Sequence, residues 1–104
     1  MEKEIDEENL EEFIKTGVTI IDVRSKQEYD EGHIDGAILI PEYEIKEKIE
    51  EIVKNKEEKI LVYCSSGTRS KIAQEELIKK GYKNVYNLKD GVFYYWDFLI
   101  AMLK

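Results

Sequence analysis

A chain of 104 residues with 42% hydrophobic side chains has room for one core and is expected to fold as a single domain spanning 1–104. Its formal charge of −7 argues against nucleic acid as a partner, because sequence-independent binding to the phosphate backbone depends on clustered Lys and Arg. The single cysteine excludes an intramolecular disulfide, and Cys64 with His33 falls two ligands short of a structural zinc site of the usual kind, so neither scaffold is expected and no metal or cofactor is called for.

Leu10, Phe13 and Ile14 recur at helical spacing after Asp6, a candidate N-cap, and Gly17 suits the position just past a helix end. Val18 to Val23 is apolar and β-branched apart from Asp22, the pattern of a strand buried on both faces, and Ala37 to Ile40 reads the same way. After Pro41, Ile45, Ile49, Ile52 and Val53 fall on one face of an amphipathic helix. Ile60 to Tyr63 is a third buried strand. Cys64 to Ser70 is a small-residue turn, and Ile72, Ala73 and Leu77 mark a helix closed by Gly81. Val85, Tyr86 and Leu88 give a fourth strand, and the aromatic segment from Val92 to Leu99 is long enough for a final helix. Strands alternating with helices predict an α/β fold: a small, mostly parallel sheet with helices on both faces and its ligand site at the carboxyl ends of the strands. Val92 to Leu103 is too short and, with Asp97, too polar to cross a membrane, and no apolar leader precedes Met1 to Glu4, so a soluble, cytoplasmic protein is expected.

One segment joins a strand's carboxyl end, a glycine turn and a helix start around a reactive side chain: Cys64-Ser65-Ser66-Gly67-Thr68-Arg69-Ser70. Backbone N–H groups converging there form an anion-binding nest. Holding a thiol largely ionised at neutral pH takes about 2.7 kcal/mol of preferential thiolate stabilisation, and a helix dipole supplies about 0.3–2 kcal/mol, so N–H bonds from the loop must supply the remainder. Gly67 removes the Cβ at the bend, and Ser65, Ser66 and Thr68 offer hydroxyl donors. An inert, buried cysteine is the commoner fate of a lone thiol, but it does not require this run of Ser, Gly, Thr and Arg.

These residues resemble the active loop of the rhodanese family of sulfurtransferases. Ile21-Asp22-Val23-Arg24, Glu28-Tyr29 and Gly32-His33-Ile34-Asp35-Gly36-Ala37-Ile38-Leu39-Ile40-Pro41 look like that family's upstream signature, and Asn87-Leu88-Lys89-Asp90-Gly91 followed by Trp96 is similar to its closing segment, with Asp90 where a first glycine is usual. The likeness covers about residues 8 to 100. It implies a sheet of four or five strands and a Cys64 persulfide that carries a sulfane sulfur from a donor, thiosulfate or a persulfide, to an acceptor: cyanide, a thiol or a protein. The loop from Ser65 to Ser70 would bind the persulfide. Ser65 stands where many thiosulfate-using members carry a basic or larger side chain. Tyrosine and dual-specificity phosphatases, some sharing the fold, place five residues between cysteine and arginine, whereas Cys64 and Arg69 are separated by four, so a cysteine phosphatase or arsenate reductase is the lesser alternative. A binding module of the same fold that transfers no sulfur is the other alternative.

With fourteen Lys against two Arg, use of arginine at 69 suggests contact with donor or loop through its planar fork, the other use being a brace to neighbouring carboxylates. Arg24 is expected to pair with a carboxylate, while Asp22, Glu28 and His33 are read as structural, and Lys71 as exposed. The acidity is lopsided: residues 1 to 63 carry nine basic and nineteen acidic side chains, net −10, and residues 64 to 104 carry seven and four, net +3. The final aromatic segment leaves a monomer or a weak homodimer open.

Overall fold

Side chains that alternate along a strand can bury a continuous apolar run only if helices cover both faces of the sheet. The computed structural model, which describes residues 3–93, has that arrangement. Strands β1 (Lys3–Ile5), β2 (Thr19–Asp22), β3 (Ile38–Leu39), β4 (Lys59–Tyr63) and β5 (Asn84–Leu88) form one sheet in the order β1-β5-β4-β2-β3, with every pair parallel. Helices α1 (Leu10–Lys15), α2 (Lys26–Glu31), α3 (Ile45–Ile52) and α4 (Thr68–Lys79) connect them. Ile21, Val23, Ile60, Val62 and Val85 pack with Ile45 and Ile49 of α3 and Ala73 and Leu77 of α4. Ile20, Leu61, Tyr63 and Leu88 belong to the opposite layer, with Leu10 and Phe13 of α1 and Tyr29 of α2. The α/β fold read from the sequence is the one observed. The aromatic segment proposed as a last helix lies outside the described residues beyond Phe93, and Trp96 with it.

Several local expectations differ. Asp6 precedes a 3-10 turn, Glu7–Asn9, and makes no side-chain cap; α1 begins at Leu10. Pro41 likewise leads into a 3-10 turn, Glu42–Glu44, before α3. Ile52 is partly exposed, so the buried stripe is Ile45, Ile49 and Val53. β3 is only two residues long and lies at the sheet edge, where Ile38 is exposed. Two elements were not anticipated. β1 is three residues of mostly polar sequence held at the opposite edge by pairing with β5 and by Gln74, whose Nε2 donates to the carbonyls of Lys3 at 2.7 Å and Val85 at 3.0 Å. α2 has Tyr29 as its one large apolar residue, so it gives no periodicity. Its start is set by a capping box in which Ser25 Oγ accepts from Glu28 N and the Glu28 carboxylate accepts from Ser25 N.

The chain leaves β2 for β3 on one side and β4 for β5 on the other, so the loops after β2 and β4 diverge side by side, opening a crevice at the carboxyl ends. A buried network fixes this edge. Asp22 Oδ1 accepts from Arg24 N at 2.9 Å and Nε at 3.0 Å, while Oδ2 accepts from Arg24 Nη2 at 2.7 Å and the Tyr63 hydroxyl at 2.8 Å. Tyr63 in turn accepts from Ile34 N at 3.0 Å, and Arg24 Nη2 donates to Gly32 O at 2.7 Å. Burial disfavours the charged guanidinium, but the Asp22 carboxylate more than offsets it and raises the Arg24 pKa. Burial, reinforced by the Asp22 charge, also pushes the Tyr63 hydroxyl up, keeping it protonated as a donor.

Asp22→Ala strands a buried guanidinium and is expected to cost about 3–5 kcal/mol, whereas Tyr63→Phe leaves Ile34 N–H unsatisfied and costs about 1–3 kcal/mol. Urea unfolding at pH 7 checks both; a loss below that of an ordinary surface substitution for Asp22→Ala would refute the network's role.

Candidate functional site

Cys64 follows the last residue of β4 and shares the α3–α4 side of the sheet with Ile60 and Val62; it is fully buried. The chain then turns sharply into α4 with Gly67 as N-cap at φ 93°, a left-handed conformation open to glycine at little cost. A Cβ on Gly67 would lie 2.3 Å from the Lys89 carbonyl oxygen, and one on Gly91, at φ 68°, would lie 2.3 Å from that of Ser65. The two glycines let the loop press against the turn after β5. There the carbonyls of Cys64 and Ser65 accept from Val92 N at 3.0 Å and Phe93 N at 2.9 Å. Two N–H groups point toward the sulfur: Gly67 N lies 3.1 Å and Ser70 N 3.3 Å from Sγ. Both belong to the first turn of α4, where N–H groups have no partner within the helix and the dipole favours an anion. Ser70 Oγ is 3.4 Å from Sγ.

The other hydroxyls anticipated as donors go elsewhere. Ser65 Oγ donates to Glu28 Oε2 at 3.1 Å, and Ser66 Oγ donates to Thr68 Oγ1 at 3.3 Å on the exposed side. Arg69 makes a two-pronged bond to Glu28, Nη1 to Oε1 at 2.8 Å and Nη2 to Oε2 at 3.0 Å, with a longer contact to Ser65 Oγ at 3.4 Å. The two uses read for Arg69 therefore resolve into a brace from α4 to α2 that also touches the loop. Arg69 holds the Glu28 carboxyl well below the usual carboxylate range, helped by Ser25 and opposed by desolvation. Glu28 reciprocally raises the Arg69 pKa against the cost of burying the guanidinium.

Asp22 and Arg24 belong to the buried network after β2. His33 donates from Nδ1 to Tyr29 O at 2.8 Å and stacks on the Tyr29 ring at 3.6 Å, while the Tyr29 hydroxyl donates to Ala37 O at 2.7 Å; these contacts fold the segment after α2. Lys71 is exposed, as expected. Sequence reasoning missed Asn87, which is buried on β5 and accepts from Ser70 Oγ at 2.5 Å. The available signal was a polar residue two positions from Val85 on a strand face that otherwise packs against α4. Among the described residues, no group of three or more His, Cys, Asp and Glu is placed to hold a metal ion.

Glu28→Gln keeps the shape but loses the charge that binds Arg69. For a pair about a third exposed, solvent screening limits the expected loss to about 1 kcal/mol at pH 7. Because the folded-state pKa of Glu28 is depressed, this contribution is fully present above the unfolded value of about 4.3 and is lost progressively as pH falls from there through the lower folded-state value. Unfolding of both proteins at pH 7, 5 and 3 should show the same gap at pH 7 and 5 and a narrower one at pH 3; a constant gap would contradict the assignment.

Comparison with known proteins agrees with this geometry. Residues 6–97 match the Rhodanese-like domain family. The thiosulfate sulfurtransferase PspE of Escherichia coli is 44% identical over 73 residues, covering 67% of this chain and 70% of that protein. The tRNA uridine(34) hydroxylase of Sodalis glossinidius is 35% identical, but the match spans 72% of this chain and only 22% of the enzyme. The crystal structure of a rhodanese-related protein from Thermoplasma volcanium superimposes with a TM-score of 0.80 at 32% identity, covering 91% of both chains. The chain belongs to the rhodanese-like domain family.

Proposed function

We propose that the protein is a sulfurtransferase working through a persulfide on Cys64. The observation that carries this reading is the pair of inward N–H groups, Gly67 and Ser70, aimed at Sγ where β4 ends. Donors fixed at the sulfur stabilise the thiolate without reorganising when charge develops. The thiolate attacks the sulfane sulfur of the donor, forming an S–S bond as the donor's own bond to that sulfur breaks. With thiosulfate, sulfite leaves with the electron pair. An acceptor nucleophile, cyanide or a thiol, then attacks the outer sulfur, and the new S–S bond breaks to return the thiolate with its pair. Proton abstraction from Cys64 by a separate base is unnecessary once the thiol is ionised, in keeping with the placement of His33 on Tyr29. Cys64 is the chain's only cysteine, so the acceptor comes from outside, and an unpaired working thiol suits a reducing compartment such as the cytoplasm.

Arg69 is committed to Glu28, which argues against a phosphatase, where the arginine must face the phosphoryl oxygens. The full burial of Cys64 favours one second reading, a domain of this family that docks a partner without transferring sulfur. Intact-protein mass spectrometry after incubation with thiosulfate or polysulfide separates the two. Transfer predicts a gain of one sulfur atom that cyanide removes and Cys64→Ser abolishes; no gain from any donor would leave the docking reading.

A cavity of about 300 Å³ beside the loop is lined by Glu7, Ser66, Asp90 and Gly91, and its two carboxylates oppose an approaching dianion. Asp90→Gly should raise kcat/KM for thiosulfate about two- to fivefold at low salt, an advantage that shrinks as salt screens the charge. Equal values for both proteins at low ionic strength would show that the donor does not pass these carboxylates.

A further inference from the structure

Ser70 has one hydroxyl proton and two neighbours that compete for it. Oγ lies 2.5 Å from Asn87 Oδ1 and 3.4 Å from Cys64 Sγ. The orientation of the Asn87 amide is fixed from its other end, where Nδ2 faces the Gly67 carbonyl at 3.5 Å, so the carbonyl end is turned to Ser70. All three side chains are buried, with Asn87 1% exposed, and water does not replace a lost partner cheaply. With its proton on Asn87, Ser70 Oγ offers Sγ only a lone pair, which suits the thiol S–H; to donate to the thiolate it must give up Asn87.

We infer that Asn87 is a positioning residue that withholds the Ser70 hydroxyl proton from Cys64, setting how strongly the thiolate is stabilised. The inference rests on Cys64 being the reacting group. Gly67 and Ser70 N–H stabilise the anion in every state, whereas the hydroxyl is a donor available at the cost of the Asn87 bond. A thiolate stabilised too far is a weaker nucleophile, though a better leaving group when the outer sulfur is passed on. Asn87 thus sets the balance between the two half-reactions without touching either substrate.

The readout is the ratio of the iodoacetamide alkylation rate of Cys64 at pH 6 to that at pH 9, which cancels differences in access. The charges around the loop, Arg69 and Lys71 on α4, Glu28 on α2, Asp22 at the end of β2, and Lys89 and Asp90 after β5, are untouched by the substitutions; Asn87→Asp adds one carboxylate, whose direct repulsion of the thiolate persists in the Ser70→Ala background and is read there. Asn87→Ala releases the hydroxyl to the thiolate and should raise the ratio about fivefold. Asn87→Asp, nearly isosteric, grips the proton harder and should lower it about fivefold, which keeps the test alive if the alanine variant does not fold. In a Ser70→Ala background each effect should shrink to at most half its logarithm. An unchanged or lowered ratio in folded Asn87→Ala, an unchanged or raised ratio in Asn87→Asp, or effects of full size without the Ser70 hydroxyl would overturn the assignment. Alkylation needs no sulfur donor. A wild type that gains no sulfur would therefore sink the transferase reading alone, while sulfur transfer with a ratio indifferent to Asn87 would sink this one alone.

Discussion

The close packing of the Cys64 loop against the turn after β5 is the constraint on which the site depends. A strand that ends in a turn must find new partners for its last carbonyls, and here those of Cys64 and Ser65 find Val92 N and Phe93 N. Gly67 and Gly91 make that approach possible, since a side chain on either would collide with opposing backbone. Beyond that anchor the chain bends at Gly67 into α4, and the N–H groups of Gly67 and Ser70 point onto Sγ. The donors belong to rigid backbone at the start of α4, which needs no side-chain ordering to meet an anion.

A second constraint ties this loop to the neighbouring crossover. Glu28 sits in the first turn of a six-residue helix with little apolar surface of its own, yet its two oxygens accept from Ser25 N, Ser25 Oγ, Ser65 Oγ and both prongs of Arg69. The same carboxylate therefore closes the capping box of α2 and fastens both α4 and the Cys64 loop to it. Asp22, Arg24 and Tyr63 do the equivalent work one layer deeper, where the geometry has to offset the desolvation of both charges. The carboxyl ends of β2 and β4, paired at Asp22 and Tyr63, are tied together and to the loops that follow them by these two hubs.

How much of this could be read from the sequence depended on how many residues shared each physical reason. β2, β4, α3 and α4 repeat one instruction over several positions, so their apolar patterns were legible, as was the strand–glycine–helix arrangement around Cys64. β1 and α2 were not, because one is three residues of mostly polar sequence held by a long-range bond from Gln74 and the other rests on the Ser25–Glu28 box. The hydroxyl allocation was illegible for a different reason. Ser65, Ser66, Thr68 and Ser70 look alike along the chain, and only the position of Glu28, more than thirty residues upstream, and of Asn87 on β5 decides which of them turns toward the sulfur.

The charge distribution also takes on a different meaning. The net −10 of the first 63 residues and the net +3 of the remainder suggest a positive half around the cysteine with Arg69 at its centre. In the folded chain Arg69 is matched by Glu28, so its charge is largely cancelled near the loop, and Asp90 and Glu7 line the adjacent cavity. What favours an anion directly at Sγ is the set of backbone dipoles at the start of α4. These act over a few ångströms and fade within a turn, unlike a lysine or arginine cluster that draws anions from afar. On the proposed sulfurtransferase reading, a site built this way holds a negative sulfur once it is in place, through N–H groups that are already aimed at it before the sulfur donor arrives.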